Sequence, residues 1–136
     1  MLANHIPSLL GMVICIILSG YFSATETAFS SLNKTRIKYM AEKGSKRAKR
    51  TLQLADNYDK LIATILIGNN IVNISTASIG TLLFVDLMGQ ELGATVSTVV
   101  VTIVVLIFGE ITPKSIAKDY PERFALFSAP FIGALL

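Results

Sequence analysis

One carboxylate stands apart from the other charges of this chain. Glu110 closes a charge-free apolar run, Leu92 to Phe108, within the phrase Gly109-Glu110-Ile111-Thr112-Pro113-Lys114. A carboxylate at the edge of a segment long enough to cross a bilayer is costly, so it is normally paired, protonated or holding a cation. Two other apolar runs carry uncharged oxygen donors, Ser19 and Ser23 in one and Asn69, Asn70 and Asn73 in the other. Hydroxyls, amides and one carboxylate on three hydrophobic segments describe a cation site inside a membrane. Every candidate ligand is oxygen, which favours hard cations over zinc or copper. Calcium normally takes 6–8 oxygens and more carboxylates than this layer offers, so Mg²⁺ or Na⁺ suits the set better. The residue types do not separate those two ions.

The elements that would position these groups follow from composition. The 136 residues are 52% hydrophobic and 15% charged, with a mean hydropathy of +0.62, whereas a soluble domain carries roughly a quarter charged residues. The fold class is an all-α membrane protein, read as a single transmembrane domain over residues 1–136. Three spanning helices are expected at about 6–32, 61–85 and 92–112, each near the ~20 residues a bilayer requires. The leader before Ile6 has no Lys or Arg and the apolar run outlasts a signal-peptide core, so the first run reads as a true span. Juxtamembrane helices are expected over about 34–60, broken at Gly44-Ser45, and about 115–136.

Of the 12 Lys and Arg, eight lie between Lys34 and Arg50 and none between Leu61 and Pro113. That distribution is a topology signal: basic segments stay inside, which places the amino terminus outside and the carboxyl terminus in the cytoplasm of a multi-pass cell-membrane protein. It is not a nucleic-acid footprint. Cys15 is the sole cysteine, so no disulfide within the chain or Cys-rich metal site can be assembled; His5, the sole histidine, lies near the amino terminus, no phosphate-cradling Gly motif occurs, and no enzyme is expected.

Plainer roles compete for each polar group. Serine in a membrane helix often bonds its own backbone or a neighbouring helix, and Glu110 lies four residues before Lys114, within pairing reach on one helical face. Depth favours the site: Asn70 and Ser23 each fall about 14 Å from the inner end of their spans, and Glu110 about 27 Å from the outer end of its own. Pro113 adds a backbone argument. In an α-helix it would leave the Gly109 carbonyl without a donor, and an orphaned carbonyl at membrane depth is a ready metal ligand.

The phrases Ser19-Gly20-Tyr21-Phe22-Ser23-Ala24-Thr25-Glu26-Thr27-Ala28, Ile67-Gly68-Asn69-Asn70-Ile71-Val72-Asn73 and Gly109-Glu110-Ile111-Thr112-Pro113-Lys114, in that order, resemble the transmembrane domain of the CorC/CNNM magnesium transporter family. The resemblance implies a homodimer embedded in membrane lipids, with three spans per subunit and a juxtamembrane helical belt. It implies Mg²⁺ efflux driven by Na⁺, with a dehydrated Mg²⁺ as the bound ligand and substrate. Ser19, Ser23, Asn70, Gly109 and Glu110 are then the metal site, with Asn69 and Asn73 as second choices. Family members usually continue into cytosolic nucleotide-binding modules, which do not occur in this sequence. Alternatives are a Mg²⁺-sensing membrane anchor and dimerisation module, or a Na⁺-only site.

Overall fold

Long uninterrupted apolar stretches and a shortage of breakers make this chain helical, and no strand occurs among the described residues. The computed structural model describes the backbone of residues 2–135 and the side chains of residues 5–135. Helix α1 (Leu2–Ser31) is built in two halves. Ile6, Leu9, Leu10, Val13, Ile14 and Ile17 are exposed, a surface of the kind that faces lipid or a protein partner. From Ser19 to Phe29 small residues replace the large ones, and most positions are buried. This inner half packs against helix α4, the end of the third span and helix α7.

Asn33 opens α2 (Lys34–Glu42), its side chain accepting from the Arg36 amide. Ser45 opens α3 (Lys46–Asp56) in the same way, accepting from the Ala48 amide. Each cap supplies an acceptor for an otherwise unpaired first-turn donor. The predicted break falls where expected, with Gly44 at φ 101° between the two helices. Ile37, Ala41 and Ala48 join them in a small apolar cluster.

Helix α4 (Tyr58–Met88) turns into α5 (Gln90–Val104) through Gly89 alone, at φ 90°. The turn is tight because a Cβ at Gly93 would lie 2.5 Å from the Phe84 carbonyl oxygen. The second and third spans are therefore antiparallel neighbours, as their short connection predicts. Beyond α5 a π-helical segment (Val105–Ile111) leads into α6 (Thr112–Asp119). The third apolar helix thus runs unbroken over Gln90–Asp119, past the predicted end near residue 112. The proline does not stop it, because the wider π turn accommodates the ring.

Three helices, His5–Ser31, Tyr58–Met88 and Gln90–Asp119, are long and apolar enough to cross a membrane. Helix α7 (Pro121–Leu135) has 15 residues, about 22 Å of helix, which falls short of the ~30 Å hydrocarbon core. Its Ala125, Ala129 and Ile132 instead join Ala24, Ala28, Leu61 and Ile65 in the main core. The main apolar core therefore lies at the end of the spans adjoining the basic α2–α3 belt, while toward the far end the helices stay in contact, with Gly80 against Val101 and Met12.

Candidate cation site

Serine and threonine hydroxyls in apolar helices commonly satisfy themselves on the carbonyl one turn back. Nine hydroxyls of these spans do. Thr25 donates to the Tyr21 carbonyl at 2.7 Å, Thr27 to Ser23 at 3.0 Å and Ser30 to Glu26 at 2.8 Å. On α4, Ser75 and Thr76 donate to Ile71 and Val72. Ser19 and Ser23 break the pattern.

Ser19 is fully buried on α1, and its hydroxyl reaches across to α4, 2.8 Å from Asn73 Oδ1 and 3.1 Å from Asn69 Oδ1. The four-residue spacing of the two asparagines puts both amides on one face toward it. A hydroxyl carries a single hydrogen, so two amide oxygens compete for it. A serine donating in this way keeps its lone pairs free, and an acceptor-rich arrangement of that kind suits a cation.

One turn along α1, Ser23 is 1% exposed, and its Oγ is the only buried side-chain oxygen or nitrogen among the described residues without a hydrogen-bond partner. Leaving a buried hydroxyl unsatisfied costs about 1–3 kcal/mol. Isolated groups of this kind call for an explanation, and an ion is among the principal ones.

The third span meets this layer at Gly109, which is buried. A Cβ there would stand 3.0 Å from Ser19 Oγ, so the backbone approaches the serine more closely than a side chain would allow. The π register is measurable: the Thr112 amide donates to the Ile107 carbonyl, five residues back. That spacing corrects the expectation drawn from α geometry. With five residues per step, Pro113 falls opposite Phe108, so its missing donor is taken from the Phe108 carbonyl. That oxygen is turned toward α1, 3.3 Å from where a Cβ of Gly20 would sit, with Pro113 Cγ 3.1 Å from the same point.

The predicted residues divide accordingly. Ser19 and Gly109 come together, Ser23 lies one turn away on the same helix, and Asn69 and Asn73 are the amides that contact Ser19. Asn70 is on the exposed side of α4 and takes no part in this cluster. Glu110 is half-buried beside Gly109. The plainer pairing of Glu110 with Lys114 is not formed, since the one ion pair among the described residues is Lys34–Asp56, 3.5 Å apart. No group of three or more His, Cys, Asp or Glu gathers among the described residues, so an ion held here would meet mostly neutral oxygens, with Glu110 the nearby carboxylate. Sequence reasoning missed Ser128 on α7. It contacts the Thr25 hydroxyl at 3.3 Å, and its carbonyl accepts from Tyr21 at 3.4 Å, tying α7 to the site-bearing helix. Its spacing from Ala125 and Ala129 on one small-residue face was the available signal.

Residues 10–136 match the cyclin M transmembrane N-terminal domain. The chain is 41% identical over 125 residues to a UPF0053 protein of Haemophilus influenzae, covering 92% of this chain and 30% of the relative. It is 42% identical over 118 residues to the UPF0053 inner membrane protein YfjD of Escherichia coli, covering 87% and 27% respectively. At 26% identity over 138 residues it also resembles the Polyamine export protein of H. influenzae, covering 93% of this chain and 32% of that protein. The chain therefore spans about a third or less of the length of these relatives. Three apolar spans and an inner-membrane relative establish a multi-pass membrane protein. With nearly its whole length matched, the chain belongs to the cyclin M transmembrane domain family.

Proposed function

We propose that this chain is the ion-translocating membrane domain of a magnesium transporter, exporting Mg²⁺ in exchange for Na⁺ and working as a homodimer with one site per subunit. The observation that carries this reading is the buried, partnerless Ser23 Oγ, one helical turn from a serine that reaches two amide oxygens. Ser19, Ser23 and the Glu110 carboxylate are the proposed side-chain ligands, and the Gly109 carbonyl is included because Gly109 packs against Ser19 Oγ, not because Pro113 frees it. Asn70, on the exposed side of α4 here, is the further ligand of this reading and would reach the ion only in another arrangement of the helices. Asn69 and Asn73 hold the Ser19 hydrogen and so aim its lone pairs at the ion. Mg²⁺ demands compact six-fold oxygen coordination and dehydrates reluctantly; hydroxyl and amide oxygens replace its water, and Glu110 offsets part of its charge. The basic belt, Lys34 to Arg50, faces the cytoplasm in this reading, with the amino terminus outside.

A second reading comes from the relative named for polyamine export. A polyamine carries several ammonium groups along an extended chain and is best matched by several separated carboxylates. Here Glu110 is the one carboxylate flanking the Ser19–Asn73 layer, which favours a small dehydrated ion. Calorimetry on the purified chain with Mg²⁺, Na⁺ and spermidine separates the readings. Saturable Mg²⁺ binding that Glu110→Gln abolishes supports the first. Spermidine binding without Mg²⁺ binding supports the second, and Na⁺ alone would reduce the site to a monovalent one.

A further inference from the structure

On the belt side, the α2–α3 turn and the α6–α7 turn flank an open groove of about 730 Å³ lined in part by the exposed Arg36, Arg47 and Arg123. Asp119 and Glu122 line the same groove, yet neither pairs with an arginine, because Lys34–Asp56 is the one ion pair among the described residues. Three guanidinium groups and two carboxylates line one groove without forming a direct ion pair. The Arg123 guanidinium instead sits 6.0 Å over the Tyr120 ring.

The groove is amphipathic. Its floor includes Leu126 and Phe127, and through Tyr120, Arg123 and Phe127 it shares a wall with a second hollow of about 290 Å³. That hollow in turn shares Ile116, Phe124 and Phe127 with an apolar trough of about 650 Å³. The trough climbs between α1 and the third span as far as Val13 and Val104. A charged groove beside the basic belt is thus adjacent, through shared side chains, to an apolar trough along two of the apolar helices.

We propose that this groove and the adjoining trough bind an anionic glycerophospholipid with a hydroxylated headgroup. The planar guanidinium forks of Arg36, Arg47 and Arg123 take the phosphate, a geometry arginine matches with paired donors. Asp119 and Glu122 accept from headgroup hydroxyls, which explains acidic residues in a groove built for an anion. An acyl chain lies over Phe127 and Ile116 into the trough. The lipid so held bridges the α2–α3 belt to α6 and α7, and through them to the helix that ends in the π segment.

Titration of the purified chain in neutral detergent, read by native mass spectrometry, tests this with dioleoyl phosphatidylglycerol against dioleoyl phosphatidylcholine. We expect the glycerol lipid to be retained at least about tenfold more strongly, with Arg47→Gln and Arg123→Gln each lowering that retention about fivefold. Lys49→Gln, an exposed change on α3 outside the groove, is expected to leave it unaltered. Dihexanoyl phosphatidylglycerol is expected to bind more weakly than the dioleoyl form, because it leaves the trough empty. Equal retention of the two dioleoyl lipids overturns the proposal, as does a loss with Lys49→Gln equal to that with Arg47→Gln. Displacement of the lipid by millimolar glycerol phosphate would assign the groove to a free phosphate compound. Disulfide capture between two copies through Phe127→Cys would assign the trough to a second copy of the chain. Should an arginine variant fail to fold, the lipid series on the unaltered chain decides the matter by itself.

Discussion

Ser23→Ala separates a site from a packing contact by the sign of its effect. In the absence of an ion the Ser23 Oγ is buried with nothing to bond, a penalty of about 1–3 kcal/mol. Alanine removes that oxygen and changes little else, so in chelator the variant should be more stable than the parent chain by up to about that amount. Bound Mg²⁺ reverses the order. A ligand at a thousand times its dissociation constant stabilises by about 4.1 kcal/mol, more than that penalty, and the variant, short of one ligand oxygen, should gain far less. The assay is thermal unfolding in mild detergent, followed by circular dichroism with EDTA and then with increasing Mg²⁺. We expect Ser23→Ala to melt above the parent in EDTA and below it in saturating Mg²⁺. A variant that melts lower in EDTA, and shifts upward with Mg²⁺ as the parent does, would show that Ser23 is ordinary packing. The reasoning from its missing partner would then be wrong.

Three further outcomes follow from particular distances and charges. Gly109→Ala places a methyl 3.0 Å from Ser19 Oγ; it should destabilise by about 1–3 kcal/mol and weaken Mg²⁺ binding in calorimetry, whereas unchanged binding would detach the π segment from the site. A cysteine at Gln90, in a chain with Cys15 replaced, should react with an impermeant thiol reagent outside intact cells while one at Lys46 should not, and the reverse labelling would invert the topology. Light scattering in mild detergent should give twice the chain mass, since a two-fold pair is the commonest closed assembly; a monomer that binds Mg²⁺ fully would count against it.

Much of this architecture was legible in the sequence because a bilayer leaves few choices. Spans must be about 20 residues and apolar, and a lipid-exposed backbone must be helical. The break at Gly44-Ser45 and the tight second hairpin were marked by residue type. The far end of the third span was not, because Pro113 ordinarily ends or kinks a helix. Only a register shift to five residues lets α6 continue through it, and no local propensity encodes that shift. In the candidate site, Ser19 was singled out as a hydroxyl on an apolar run. Which asparagine it meets depends on the rotation of α4 about its own axis, which consecutive Asn69 and Asn70 leave open by 100° or so. The structure turns Asn69 and Asn73 inward. Ser128 escaped notice because its role depends on where α7 docks against α1, a tertiary fact.

Mg²⁺ flux tests the central claim most directly. The purified chain would be reconstituted into vesicles loaded with a magnesium-sensitive dye, under an imposed Na⁺ gradient, beside Glu110→Gln reconstituted at equal density. We expect Na⁺-dependent Mg²⁺ movement with the parent chain and none above empty vesicles with Glu110→Gln. Equal flux from the two proteins would contradict the assignment of Glu110 to the ion path. Mg²⁺ binding without flux in either would make this domain a sensor and not a transporter.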